Sequence, residues 1–222
     1  MNIWAIVPAK DFSRAKTRLA GILDLRSRRE LARFMLEHVL SVLERSRPEV
    51  AGSVIVTDSP EIGSLASRFG ARAVYRSADG GLNEHVADAI ADVATFADAA
   101  IVLMGDLPTV TSLDVRALVR ELGEADVVVA PDGSGRQTNA LGLWLDHRAS
   151  TAFGRVGSLQ AHCATAEQSG LRVRRVVSPT LAFDVDEPAD YVRFGNMVDD
   201  RWKAQAQSRR LYRNRESLVS DR

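Results

Sequence analysis

The chain has 222 residues, 45% hydrophobic and 26% charged, with 29 Lys and Arg against 29 Asp and Glu, four His and one Cys. A chain of this size and balance builds a core that buries roughly 70% of its unfolded surface, which excludes a disordered protein. A lone cysteine, Cys163, excludes an internal disulfide and a thiolate zinc site.

The chain opens on the apolar run 3–8, which reads as a strand. It is too short for a signal core and runs directly into Pro8 and Lys10 with no basic region before it. No stretch reaches the 18 or so apolar residues of a membrane span, so the expectation is a cytoplasmic protein with no membrane partner. The loop after this strand carries Lys10, Arg14, Lys16 and Arg18, four cations within nine residues. In open α/β sheets ligands bind beyond the carboxyl ends of the strands, and the first such loop commonly cradles phosphate. This loop has no glycine, so it is neither a dinucleotide fingerprint nor a Walker A loop. It would hold phosphate by side-chain charge; the alternative is a solvated basic loop.

A helix follows from about Ser27, where Leu31, Phe34, Met35, His38, Val39, Val42 and Leu43 keep the spacing of a buried stripe and Pro48 marks its end. His38 reads as a core or boundary residue. Strands over 53–57 and 71–75 flank a helix over 60–69. Gly80-Gly81-Leu82-Asn83 then leads into a helix over 83–96, with Asn83 as its N-cap or as a ligand contact. The apolar strand 99–104 delivers Asp106 at its end, just before Pro108. After a helix over 111–122 and a strand over 126–130, the polar loop 131–137 leads to Thr138-Asn139 and a strand over 141–145. Phe153-Gly154-Arg155-Val156-Gly157-Ser158 precedes a helix over 158–169, whose start would cap itself or receive an anion on its amides and the Ser158 hydroxyl.

Strands over 173–177 and 181–185 and a helix over 187–194 complete the pattern. On a strand Asp184 and Asp186 share one face, a costly like-charge arrangement unless a cation lies between them; the alternative is a cap on the helix at Pro188. With Asp106 they form an all-oxygen donor set suited to Mg2+ rather than zinc. Alternating strands and helices predict an α/β protein with a largely parallel sheet, one domain over 1–195 and a separate basic helix or tail over 196–222. Residues 201–222 hold seven Lys or Arg and two acids, which makes them +5 against −5 for the first 200.

Six stretches, taken in order, resemble the 2-phospholactate/phosphoenolpyruvate guanylyltransferase family of coenzyme F420 biosynthesis: V-P-A-K-x-F-S-R-A-K-T-R-L-A, G-G-L-N, G-D-L-P, P-D-G-x-G-x-x-T-N-A-L, F-G-x-x-G-S and F-D-V-D-E-P-x-D. The resemblance covers about residues 1–195. It implies a Rossmann-like, three-layer nucleotidyltransferase fold of the nucleotide-diphospho-sugar transferase type, with a mostly parallel mixed sheet. It also implies GTP as donor, two Mg2+ ions, and 2-phospholactate, phosphoenolpyruvate or 3-phosphoglycerate as acceptor. By matching motif, Asp106, Asp184 and Asp186 hold metal, and Lys10, Arg14, Lys16 and Arg18 meet the GTP phosphates. Asn83 lies beside the nucleotide, and Thr138, Gly154 and Ser158 meet the acceptor. Lys10, Arg14, Lys16 and Asp106 carry the catalysis.

Gln137 stands where the family commonly has glycine, Glu84-His85 where small residues are usual, and the Phe153–Ser158 segment carries one extra residue. These departures leave the acceptor open among the three. Other readings are a different nucleotidyltransferase, such as a molybdenum-cofactor guanylyltransferase, and a glycosyltransferase of related fold, against which the basic loop argues. From a different class come a non-catalytic nucleotide-binding protein, against which the acids at all three positions argue, and nucleic-acid binding through the tail, which reads instead as a terminal helix with a solvated basic face or a frayed end. A homodimer through an edge strand or the terminal helix is left open.

Overall fold

The computed structural model describes residues 1–146 and 150–197, so the basic segment 201–222 lies outside the described residues. By its internal contacts the chain forms two compact units, Met1–Asp184 and Val185–Arg222.

The first unit is built on seven strands: β1 (Ile3–Pro8), β2 (Gly52–Thr57), β3 (Arg72–Tyr75), β4 (Ala99–Leu103), β5 (Val127–Pro131), β6 (Thr138–Trp144) and β7 (Val173–Arg175). They form one sheet in the order β3-β2-β1-β4-β6-β5-β7. β1 pairs in parallel with β2 and β4, β2 with β3, and β5 with β7. Only β6 runs against its neighbours β4 and β5. The helices are α1 (Leu25–Arg45), α2 (Pro60–Ser67), α3 (Leu82–Val93), α4 (Ser112–Leu122) and α5 (Ser158–Gln168).

Strand alternation sorts the apolar side chains to two cores. Ile3, Ala5 and Val7 of β1 and Ile101 and Leu103 of β4 pack with Leu36, Val39 and Leu43 of α1, Ile62 of α2 and Leu118 of α4. Ile6 of β1 and Val102 of β4 pack with Val86 and Ala89 of α3 and Leu159 and Ala166 of α5. The result is the expected three-layer α/β sandwich. His38 is a boundary residue, as its stripe position suggests: its ring lies 2.7 Å from the Val110 carbonyl and ties α1 to the loop after β4.

The reversed direction of β6 decides where the functional loops meet. Leu103 at the end of β4 pairs with Ala140, and Pro131 at the end of β5 with Thr138. The start of β6 therefore lies at the same sheet edge as the carboxyl ends of β1, β2, β4 and β5. The register shifts between Ala130 and Pro131, and such a bulge redirects a side chain. Asn139, at the shift, donates from Nδ2 to the Leu181 carbonyl at 3.1 Å.

One expected strand does not form. Residues 181–185 carry no strand, because both edges of β4, β6 and β5 already have partners and side chains take the backbone groups instead. Thr109 Oγ1 donates to the Thr180 carbonyl at 2.9 Å, and Asn139 to that of Leu181. Leu181 and Phe183 are buried although no strand forms here, which gives the alternating pattern a non-strand origin. The two-residue strand period therefore no longer argues that Asp184 and Asp186 share a face.

Asp114 anchors this segment. It forms a capping box with Thr111 at the start of α4, and accepts hydrogen bonds from Ser178 Oγ and Thr180 Oγ1. Asp114→Ala strands several donors at a buried position. It should lower the unfolding free energy by about 2–3 kcal/mol in urea titration; a change within about 0.5 kcal/mol would show that the network carries little stability.

In the second unit α6 (Pro188–Met197) starts as the sequence predicts. At its start Asp190 Oδ2 accepts from the backbone amides of Glu187 at 2.8 Å and Asp186 at 3.2 Å.

Candidate active site

The cationic loop folds as two short 3-10 turns, Phe12–Arg14 and Thr17–Leu19, pinned by the buried Phe12 and Leu19. Between them sits Lys16 at φ +52°, the one non-glycine residue with positive φ among the described residues. That conformation costs roughly 1–2 kcal/mol for an L-residue, and such strain clusters at functional sites. It carries the Lys16 side chain, 6% exposed, to within 2.6 Å of the Asp106 carboxylate. Gly105 brings the two loops together, since a Cβ there would stand 3.2 Å from the Pro8 carbonyl oxygen. Lys10, Arg14 and Arg18 are exposed around this pair.

Three residues absent from the sequence-level expectations shape the loop. Asp58, just past β2, forms an ion pair with Arg14 and accepts from the Asp11 amide at 3.1 Å. Asp11 accepts from the Ser13 hydroxyl and amide and from Ser59 Oγ at 2.8 Å. Those hydrogen bonds, Ser13's first, hold its pKa down to about 2. The signal was Thr57-Asp58-Ser59-Pro60, a polar strand end on the same sheet edge as the first loop.

A second cluster gathers at the start of β6. The Thr138 amide donates to Ser158 Oγ at 3.1 Å, Ser158 Oγ lies 3.4 Å from Thr138 Oγ1, and Thr138 Oγ1 lies 2.9 Å from His162 Nδ1. The Ala152 amide donates to His162 Nε2 at 2.8 Å, and the Phe153 ring packs on the imidazole. Asn83 does not cap α3, whose N-cap is Gly81. Its Oδ1 accepts from the Phe153 amide at 2.8 Å and ties α3 to the loop of Gly154. Gly154 has φ +79°, a backbone that disfavours any side chain. Thr138, Ser158 and His162 are all buried.

Burial, with the Arg155 charge second, holds the His162 pKa down to about 4 from its ordinary 6.5. The unfolded chain therefore binds this proton first as pH falls. The stability it represents is complete above pH 6.5, declines below it and is gone below pH 4, about 3 kcal/mol in all. Between pH 7 and 4.5 wild type should lose about 2–3 kcal/mol more unfolding free energy than His162→Asn; parallel losses in the two proteins would contradict a neutral buried imidazole.

Asp106 and Asp184 belong to the first unit and Asp186 to the second. Among the described residues no three His, Cys, Asp or Glu are gathered as a ready metal cage. Mg2+ needs no such cage, because it takes one or two protein carboxylates and completes its shell with water and phosphate oxygens. Asp106, an oxygen donor beside a cationic loop, fits that chemistry.

Residues 3–199 match the family model of CofC-like guanylyl transferases. The chain belongs to this family. A phosphoenolpyruvate guanylyltransferase of Chloroflexus aggregans is 38% identical over 185 residues, 82% of this chain and 91% of the relative. One from Sphaerobacter thermophilus is 37% identical over 191 residues, 86% and 91%. A solved structure of a candidate nucleotide-diphospho-sugar transferase from Desulfovibrio desulfuricans aligns with TM-score 0.68 over 84% of both chains, at 16% identity. That likeness shows the fold. This guanylyl transferase is thus an enzyme of the nucleotidyltransferase class on the expected architecture. No helix among its described residues is long and apolar enough to cross a membrane.

Proposed function

We propose that the chain transfers GMP from GTP to phosphoenolpyruvate, releasing pyrophosphate, as a step of coenzyme F420 biosynthesis. The observation that carries this reading is the strained, enclosed Lys16–Asp106 pair. It stands at the sheet edge where an α/β protein binds ligands, in a chain whose full-length relatives are phosphoenolpyruvate guanylyltransferases.

In the proposed reaction an oxygen of the acceptor's phosphate forms a bond to the α-phosphorus of GTP. The α–β bridging bond breaks, and its electron pair leaves on pyrophosphate. The nucleophile is already an anion, with a second pKa near 6, so no side chain has to act as base. What the residues supply is charge and alignment. Lys16, Arg14, Arg18 and Lys10 neutralise the triphosphate and the departing pyrophosphate. Lys16 is pre-set by its backbone and by Asp106, and Arg14 by Asp58. Asn83 lies beside the nucleotide; Thr138, Ser158 and Gly154 receive the acceptor. Asp106 and Asp184 would hold Mg2+, two ions by the family resemblance, with Asp186 a further candidate ligand within its own unit. Bound there, Mg2+ would add Lewis-acid neutralisation of the phosphate oxygens.

The test is mass spectrometry of the products formed from GTP, Mg2+ and an equimolar mixture of phosphoenolpyruvate, 2-phospholactate and 3-phosphoglycerate. The proposal expects the guanylylated phosphoenolpyruvate mass. A product of 2-phospholactate or 3-phosphoglycerate alone would overturn the acceptor, and no guanylylated product would overturn the activity.

A further inference from the structure

His162 lies one helical turn beyond Ser158 on α5, and both of its ring nitrogens are engaged. The Ala152 amide can only donate, so Nε2 must present its lone pair. A neutral imidazole has one N–H, which leaves the proton on Nδ1, facing Thr138 Oγ1. An imidazolium would set its Nε2 proton against the Ala152 proton at 2.8 Å, so the cation does not fit; the low pKa agrees.

The direction then passes along the cluster. Thr138 Oγ1 accepts from His162 Nδ1 at 2.9 Å. It also accepts from the Ser158 hydroxyl at 3.4 Å, whose own oxygen is taken by the Thr138 amide. Both lone pairs of the Thr138 hydroxyl are thus used, and its remaining proton has no acceptor among the described residues. From this geometry we infer that His162 is a positioning residue that acts through Thr138, fixing that hydroxyl as a donor toward an oxygen of the anionic acceptor. The inference rests on the proposed placement of the acceptor at Thr138. The Ser158 hydroxyl takes the same orienting part, its proton being directed to Thr138, which leaves that residue's backbone amide at the start of α5 as its donor to the acceptor.

Two amide substitutions separate the two ring nitrogens. Asn at 162 keeps a donor at the Nδ1 position, whereas Gln reaches the Nε2 position and leaves Thr138 without its donor. His162→Asn should keep the acceptor KM within about threefold of wild type, and His162→Gln should raise it about tenfold, with the KM for GTP unchanged in both. In a Thr138→Val background His162→Gln should add nothing further. A raised acceptor KM in Thr138→Val with no effect of His162→Gln, or with multiplying effects, would overturn the His162 role alone. An unchanged acceptor KM in Thr138→Val would overturn the acceptor placement and the inference together. Long-range proton–nitrogen NMR of the wild-type ring keeps the test independent of variant folding. A protonated Nδ1 supports the relay, and a protonated Nε2 overturns it.

Discussion

Asp106→Asn should lower turnover by about two orders of magnitude or more, on the order of 3 kcal/mol in the transition state, while the protein stays folded. The amide keeps the shape and still offers an oxygen to Lys16 Nζ, now at 2.6 Å from the carboxylate, so the loop retains its tie. What disappears is the negative charge at the end of β4, which the proposed mechanism needs to hold a divalent cation against the phosphates and to orient the ammonium. The effect belongs in kcat and should not yield to saturating Mg2+. Asp184→Asn should fall in the same range. Activity within threefold of wild type in Asp106→Asn would remove the residue from the site.

Lys16→Met should reduce kcat/KM for GTP by about a hundredfold and leave the KM for the acceptor little changed. Methionine keeps most of the stem and deletes the charge. The other cations of this loop are not equally placed: the Lys16 side chain is 6% exposed, against 46% for Arg14, and Lys10 and Arg18 are exposed, so the Lys16 charge acts where water screens it least. Lys16→Arg should not restore activity, because a planar fork does not reproduce a compact ammonium in an enclosed position. Steady-state kinetics with GTP varied would check this. An unaltered GTP dependence would move the triphosphate away from this loop.

Much of this was legible in the sequence because it follows from periodicity. The β1 run, the stripe of α1 and the apolar β4 gave elements within a few residues of their observed ends. The edge carrying Lys16 and Asp106 followed from where those strands stop. Less legible was anything set by pairing partners distant in sequence. Residues 181–185 alternate like a strand, but β4, β6 and β5 are already paired on both sides, and burial outside the sheet produced the same pattern. The reversed β6, which brings Thr138 to the functional edge, cannot be read from its own residues, since a strand has the same alternation in either direction. His162 and Cys163 sit on one buried face of α5, and nothing local marks the histidine as the partner of Thr138, 24 residues away. Asp58 was missed although the strand-end rule that found Asp106 applies to it equally.

The most direct measurement is a crystal structure of the full chain grown with GTP and Mg2+. The account predicts the triphosphate against Lys16, Arg14 and Arg18, with metal density on Asp106, Asp184 and Asp186. A nucleotide bound elsewhere, with the Lys16–Asp106 pair undisturbed and no metal on those carboxylates, would contradict it.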